Sequence, residues 1–73
     1  MPKPTDAELD VYAAENEALA EYRRAQAALY ENTAREATAR IDHETPEYQR
    51  LNQAVIDAGK RLPKRFKHLR KDV

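Results

Sequence analysis

The sequence contains no cysteine and no tryptophan, and its 73 residues include a single glycine and a single phenylalanine. Without cysteine, neither a disulfide scaffold nor a thiolate zinc site can be built. One glycine cannot form the glycine-rich loop that cradles phosphate groups. No run of the chain approaches the roughly 18 apolar residues of a membrane span, and the start of the chain lacks the apolar stretch of a signal peptide. We therefore expect a cytoplasmic protein.

The residues that are abundant are those of helices. Alanine accounts for 13 positions and only 17 residues are large and apolar, while 36% of the chain is charged. Such a composition is typical of α-helices. A chain this short buries only about 60% of the surface that its unfolded form exposes, so its stability as a monomer is marginal. We expect an all-α fold, an antiparallel hairpin of two long amphipathic helices that completes a bundle by self-association.

The first helix is predicted over residues 5–42, after a flexible N-terminus of residues 1–4. Thr5 can cap the free N–H groups of its first turn, and Glu8, three residues later, can complete a capping box. On a helical wheel the large apolar residues share one face about 160° wide, more than one partner helix can cover. They are Leu9, Val11, Tyr12, Leu19, Tyr22, Leu29, Tyr30 and Ile41.

A turn is predicted at residues 43–45, because Pro46 disfavours helical dihedrals at Thr45 and fits the first position of a new helix. The second helix is predicted over residues 46–73. Its apolar stripe continues through Gly59 and Pro63, so we favour a continuous helix with a kink there. The alternative is a stop at Gly59 and a separate helix from Pro63. The stripe consists of Tyr48, Leu51, Val55, Ala58, Leu62, Phe66, Leu69 and Val73.

Two such helices joined by a short turn predict a register in which the numbers of facing residues add up to about 89. Ile41 would then meet Tyr48, and the first ten or so residues of the first helix would have no partner in the chain. Self-association into a homodimer would cover the remaining apolar surface. The residues predicted to form this interface, or one with another protein, are Tyr12, Leu19, Tyr22, Leu29, Tyr30, Leu62, Phe66 and Leu69.

Charge is divided unevenly although the net charge is zero. Residues 1–57 hold 6 basic and 12 acidic side chains, whereas residues 58–73 hold 7 basic and one acidic. We favour a structural interpretation, in which this basic amphipathic helix lies beside Glu15, Glu17 and Glu21. The alternative is a nucleic-acid contact through phosphate neutralisation, and a membrane-surface helix is a weaker third. The nucleic-acid contact would use Lys60, Arg61, Lys64, Arg65, Lys67, Arg70 and Lys71.

Catalytic, cofactor-binding and metal-binding residues are not predicted. His43 and Glu44 resemble the start of a zincin motif, but no second histidine follows at the required spacing. His68 would lie about 36 Å of helix away from His43, too far for one chain to bring both to one metal. We expect a small non-enzymatic protein–protein interaction module with an unidentified protein partner, of the kind found among bacterial and phage accessory or regulatory proteins. A nucleic-acid-binding protein is the alternative.

Overall fold

The structure, a computed structural model, describes residues 2–70. It contains two α-helices, α1 (Asp6–Thr38) and α2 (Pro46–Lys60), followed by a 3₁₀ helix (Lys64–Leu69). The two α-helices pack against each other as a hairpin, and residues 2–70 contain no strand. The predicted all-α helical hairpin is therefore confirmed. Lys71 and Val73, which the sequence analysis placed in the basic segment and the apolar stripe, lie outside the described residues.

The start of α1 follows the predicted capping box. The backbone N–H of Glu8 donates to Oγ1 of Thr5 at 3.2 Å, and Oε1 of Glu8 accepts from the backbone N–H of Thr5 at 3.5 Å. Asp6 adds negative charge to the same turn. Two backbone N–H groups thereby gain hydrogen-bond partners, and the acidic side chains stabilise the positive end of the helix dipole.

The end of α1 lies at Thr38, four residues before the predicted end at residue 42. The N–H of Arg40 donates to the carbonyl of Ala37 at 3.1 Å, and the N–H of Ile41 donates to the carbonyl of Glu36 at 2.9 Å. This pair of bonds is a Schellman motif, which needs a left-handed residue just after the helix. Arg40 adopts that conformation, with φ of 62°. The prediction was wrong because no glycine marks the stop.

We predict that Arg40→Gly raises the free energy of unfolding by about 0.5–1 kcal/mol, because glycine adopts the left-handed conformation without the steric cost that a side chain incurs. Urea unfolding followed by circular dichroism measures the change. Arg40→Ala is the control, since it removes the same side chain but retains the strain. Equal midpoints for the glycine and alanine variants would contradict the assignment.

The turn at residues 39–45 is tied to both helices by Thr45. Its Oγ1 accepts from the N–H of Tyr48 at 3.0 Å, which caps α2, and donates to Oε2 of Glu36 on α1. Pro46 occupies the first turn of α2 as predicted. The cap predicted from the sequence is confirmed, and the same hydroxyl also fixes the distance between the helices at the turn.

The second helix is interrupted, so the continuous helix over residues 46–73 that we favoured is wrong. The alternative, a stop near Gly59, describes the structure: α2 ends at Lys60, and the N–H of Leu62 donates to the carbonyl of Gly59 at 3.2 Å. Pro63 is extended, with φ of −64° and ψ of 159°, and starts the 3₁₀ helix. Ending the helix before Pro63 avoids the clash between its ring and the carbonyl of Gly59.

The core is small and centred on Tyr22. Tyr22, Ala58 and Leu62 are each 2% exposed. The hydroxyl of Tyr22 donates to the carbonyl of Leu69 at 3.3 Å and accepts from Nε2 of Gln26 at 3.2 Å. The 3₁₀ helix is thus folded back onto the two α-helices. Partly buried residues packed against the core are Leu19, Ala25, Val55, Phe66 and Leu69.

The helix register differs from the predicted one. Glu36 contacts Thr45, and Glu21 pairs with Arg61, so the numbers of facing residues add up to 81 and 82. The prediction of about 89 failed because it placed the turn near residue 44, whereas α1 already ends at Thr38. Ile41 and Tyr48 still lie near each other, since both line a shallow groove beside the turn.

One polar side chain lies buried within α1. Asn32 is 4% exposed, and its Nδ2 has no hydrogen-bond partner among the described residues. A buried donor without a partner costs about 1–3 kcal/mol of stability. Asn32 therefore weakens the hairpin that it helps to form.

We predict that Asn32→Leu raises the free energy of unfolding by about 1–2 kcal/mol, because leucine has the same branched arrangement of heavy atoms and no unsatisfied donor. Thermal and urea unfolding both measure this change. Asn32→Asp is the companion variant and should lower stability, since it buries a charge at the same place. A destabilised leucine variant would mean that the amide has a bonding partner that stabilises the fold.

Candidate interaction surface

The residues predicted to form an interface divide into two groups. Five serve the interior of the hairpin: Tyr22 and Leu62 are buried, and Leu19, Phe66 and Leu69 pack against them. The other group remains at the surface, with Leu29 partly buried and Tyr12 and Tyr30 exposed. Only this second group is available to a partner.

Apart from Ile41 in the turn, which is 37% exposed, the large apolar side chains exposed among residues 2–70 lie at two places on the hairpin. Near the start of α1, Leu9 is 49% exposed and Val11 and Tyr12 are each 59% exposed. At the middle of the hairpin, Tyr30 on α1 is 58% exposed and Ile56 on α2 is 43% exposed. We call the first place the N-terminal apolar surface, defined by Leu9, Val11 and Tyr12. Where several exposed apolar residues lie next to one another, they commonly form a surface that binds partners.

The second place borders a groove between α1 and α2, which we call the inter-helix groove. Its volume is about 430 Å³. Aromatic and aliphatic side chains form most of its walls, and charged side chains stand at one end. The lining residues are Tyr22, Gln26, Leu29, Tyr30, Asn52, Val55, Ile56, Gly59, Lys60 and Arg70.

The shape of the hairpin explains why so much apolar surface is exposed. Its dimensions are 56 × 21 × 17 Å and its radius of gyration is 16.1 Å, against about 11 Å for a compact domain of this length. The accessible surface is 5773 Å², against about 4600 Å² for a compact monomer of 8.4 kDa. α1 has 33 residues and α2 has 15, so α2 is too short to cover its neighbour.

Part of the basic segment pairs with acidic residues of α1, as the structural interpretation of the charge division predicts. Arg61 lies 3.6 Å from Glu21, and Arg65 lies 3.4 Å from Glu15. The guanidinium of Arg65 also lies over the rings of Phe66, at 4.5 Å, and Tyr12, at 5.6 Å. The pairs are largely exposed, and such pairs contribute about 0–1 kcal/mol each.

Glu17, which was predicted to join these pairs, instead binds Arg24 of its own helix at 3.1 Å.

Three lysines of the basic segment face solvent. Lys60, Lys64 and Lys67 are exposed and form no ion pair with any described residue, and Arg70 is partly buried at the inter-helix groove. The predicted basic amphipathic α-helix is wrong, because these lysines lie on the end of α2 and on a short 3₁₀ helix. The positive charge is therefore spread over a bend, not along one straight face.

The turn contains the imidazole that the sequence analysis considered for metal binding. Nδ1 of His43 lies 3.6 Å from Asp42, and both side chains are largely exposed. Among residues 2–70, no three histidine, aspartate or glutamate side chains come together as a metal ion requires. Within the same range, no helix is long and apolar enough to cross a membrane.

Four exposed apolar residues of the described part of the chain were not among those predicted to bind a partner: Leu9, Val11, Ile41 and Ile56. Val11 was assigned to the apolar face of the first helix, but it lies beyond the reach of α2. Ile56 lies beside the stripe of the second helix, one position after Val55, and this departure from the stripe was the available signal. The exposure of Val11 could not be predicted from local sequence, because it depends on where the shorter helix ends.

Comparisons of the chain with protein-family models, with curated proteins and with solved structures found no match.

Proposed function

We propose that the protein is a non-enzymatic helical module that acts by binding another protein chain, with a second copy of itself as its first partner. The observation that supports this is the N-terminal apolar surface, which the hairpin leaves open. Leu9, Val11 and Tyr12 are all about half exposed or more on one stretch of α1. Full burial of a side chain of this size contributes about 1.5–3 kcal/mol, so covering three of them is a considerable driving force.

The small core adds to this argument. Within residues 2–70, three buried apolar residues hold the hairpin together, and one polar residue is buried at a cost. A domain with so little interior gains stability from any partner that binds the folded state only. Two hairpins that cover each other would form a four-helix bundle, whose interior is enclosed on all sides.

The solution mass tests the proposal. At micromolar concentration, sedimentation equilibrium should give about 17 kDa, twice the chain mass of 8.4 kDa. The double variant Leu9→Gln/Val11→Gln should raise the dissociation constant of the dimer about tenfold or more, which corresponds to a loss of roughly 1.4 kcal/mol of binding free energy. Glutamine is a good helix former, so the helix content should not change.

Asp10→Gln is the matched control, because Asp10 lies between the two altered residues but on the opposite side of the helix. Its association should equal that of the unaltered protein. A folded monomer of 8.4 kDa at all concentrations, together with no protein captured from a host extract, would overturn the proposal.

A nucleic-acid-binding protein is the second candidate, and the three unpaired lysines favour it. Lys60, Lys64 and Lys67 are exposed and have no acidic partner in the described part of the chain. The net charge of zero opposes it, since dedicated binders usually have a basic excess.

The two candidates differ in their response to salt. We expect no measurable binding to short DNA or RNA in fluorescence anisotropy, even at about 50 mM salt. Binding that weakens steeply between about 50 and 200 mM salt, and that is lost when all three lysines become glutamine, would favour the second candidate instead.

A further inference from the structure

We infer that the second copy packs antiparallel along α1, so that Tyr12 of each protomer lies against Tyr30 of the other. This inference rests on the proposed function and specifies the orientation and register of the partner. Tyr12 and Tyr30 are the most exposed aromatic residues of α1, at 59% and 58%.

The two tyrosines point to the same side of the helix. They are separated by 18 residues, which is five turns of about 3.6 residues each. The distance between them along the helix is about 27 Å. Tyr22, which packs against α2, is turned away from this direction by about 80°. A partner at the tyrosine face therefore lies beside α2, and at Tyr12 it also meets the guanidinium of Arg65, which lies 5.6 Å from the ring.

A two-fold axis relates these positions in a simple way. The midpoint between Tyr12 and Tyr30 is Glu21, and α1 runs from Asp6 to Thr38 with its centre at Tyr22. An antiparallel pair that matches the tyrosines therefore also overlaps α1 over nearly its whole length. Both tyrosine pairs form at once, so the contact is closed and stops at two chains.

Charge decides the orientation. Residues 6–21 of α1 contain six acidic side chains and no basic one. Residues 22–38 of α1 contain three arginines and two glutamates. An antiparallel pair places the acidic half of one helix beside the arginine-containing half of the other, whereas a parallel pair places the two acidic halves together. Complementary potentials of this kind favour one arrangement and disfavour the other.

The surroundings of Tyr30 suit an incoming aromatic ring. Tyr30 and Ile56 border the inter-helix groove, which both apolar and polar side chains line. A tyrosine can bury its ring in such a groove while its hydroxyl remains at the edge. The accessible surface exceeds that of a compact monomer by about 1200 Å², and a standard interface buries about 800 Å² on each partner. The extra surface of the elongated hairpin is thus at least as large as one side of a standard interface.

Because the sequence has no cysteine, introduced cysteines can report this arrangement without interference. In the inferred register the numbers of facing residues add up to 42, so Ala34 of one protomer lies within one residue of the level of Leu9 of the other, on the same edge of the contact. Within one protomer these residues are 25 positions apart on α1, about 37 Å, so an internal disulfide cannot form.

The experiment mixes Leu9→Cys with Ala34→Cys and follows oxidation on non-reducing gels, with peptide mass spectrometry to identify the joined residues. The mixture should form a 9–34 disulfide about tenfold faster or more than a mixture of Asp10→Cys with Ala34→Cys. Asp10 is the matched control because it is adjacent in sequence but points away from the contact. Leu9→Cys alone and Ala34→Cys alone should remain largely uncrosslinked.

Two results would overturn the inference while leaving the proposed dimer in place. Rapid 9–9 disulfide formation by Leu9→Cys alone would show a parallel pair. The interface would lie elsewhere if the Leu9→Cys and Ala34→Cys proteins sediment as dimers but their mixture forms the disulfide no faster than the mixture with Asp10→Cys. If the unaltered protein sediments only as a monomer, the proposed self-association fails, and this inference fails with it.

Discussion

The contact between the Tyr22 ring and the small residues Ala58 and Gly59 is the one on which the hairpin depends. A Cβ atom at Gly59 would lie 3.4 Å from Cε1 of Tyr22, at the near limit of ordinary contact. α2 approaches α1 closely because two small residues, alanine and glycine, face the ring, and a single Cβ atom would still fit at position 59. The hydroxyl of the same tyrosine binds the carbonyl of Leu69 and so holds the 3₁₀ helix. One side chain of α1 thus positions both of the segments that follow the turn.

A fold organised around one ring has a limited interior. Tyr22 and Leu62 are the large side chains that it buries, and each contributes about 1.5–3 kcal/mol. The loss of conformational entropy on folding opposes this gain, and in any small domain its free-energy cost is of similar size to the gain from burial. The part of α1 before Tyr12 adds nothing to this interior, yet it bears Leu9 and Val11. In our account these residues serve contact with another chain.

The sequence predicted those features that depend on neighbouring residues. Thr5 with Glu8, and Thr45 with Pro46, form caps within four residues, and both are present in the structure. The end of α1 could not be predicted in the same way, because Arg40 adopts a conformation that the residue type disfavours. Its position then shifted the whole register, since every facing pair depends on where the turn begins.

The candidate surface was predictable only in part, for a related reason. The apolar stripe of the first helix contains both the core residue Tyr22 and the exposed residue Tyr30, and sequence spacing does not distinguish them. Burial of Asn32, likewise, follows from tertiary packing and not from its own polarity. The division between interior and surface was settled by the length of α2, which ends at Lys60.

Amide hydrogen exchange at several protein concentrations tests the central claim most directly, namely that a second chain covers what α2 leaves open. Amides near Tyr22 and Ala58 should be protected at every concentration, because they belong to the core of the hairpin. Amides of residues 6–14 should exchange rapidly at nanomolar concentration and become protected as the concentration rises through the dimerisation range. Equal protection of residues 6–14 at all concentrations would contradict the account.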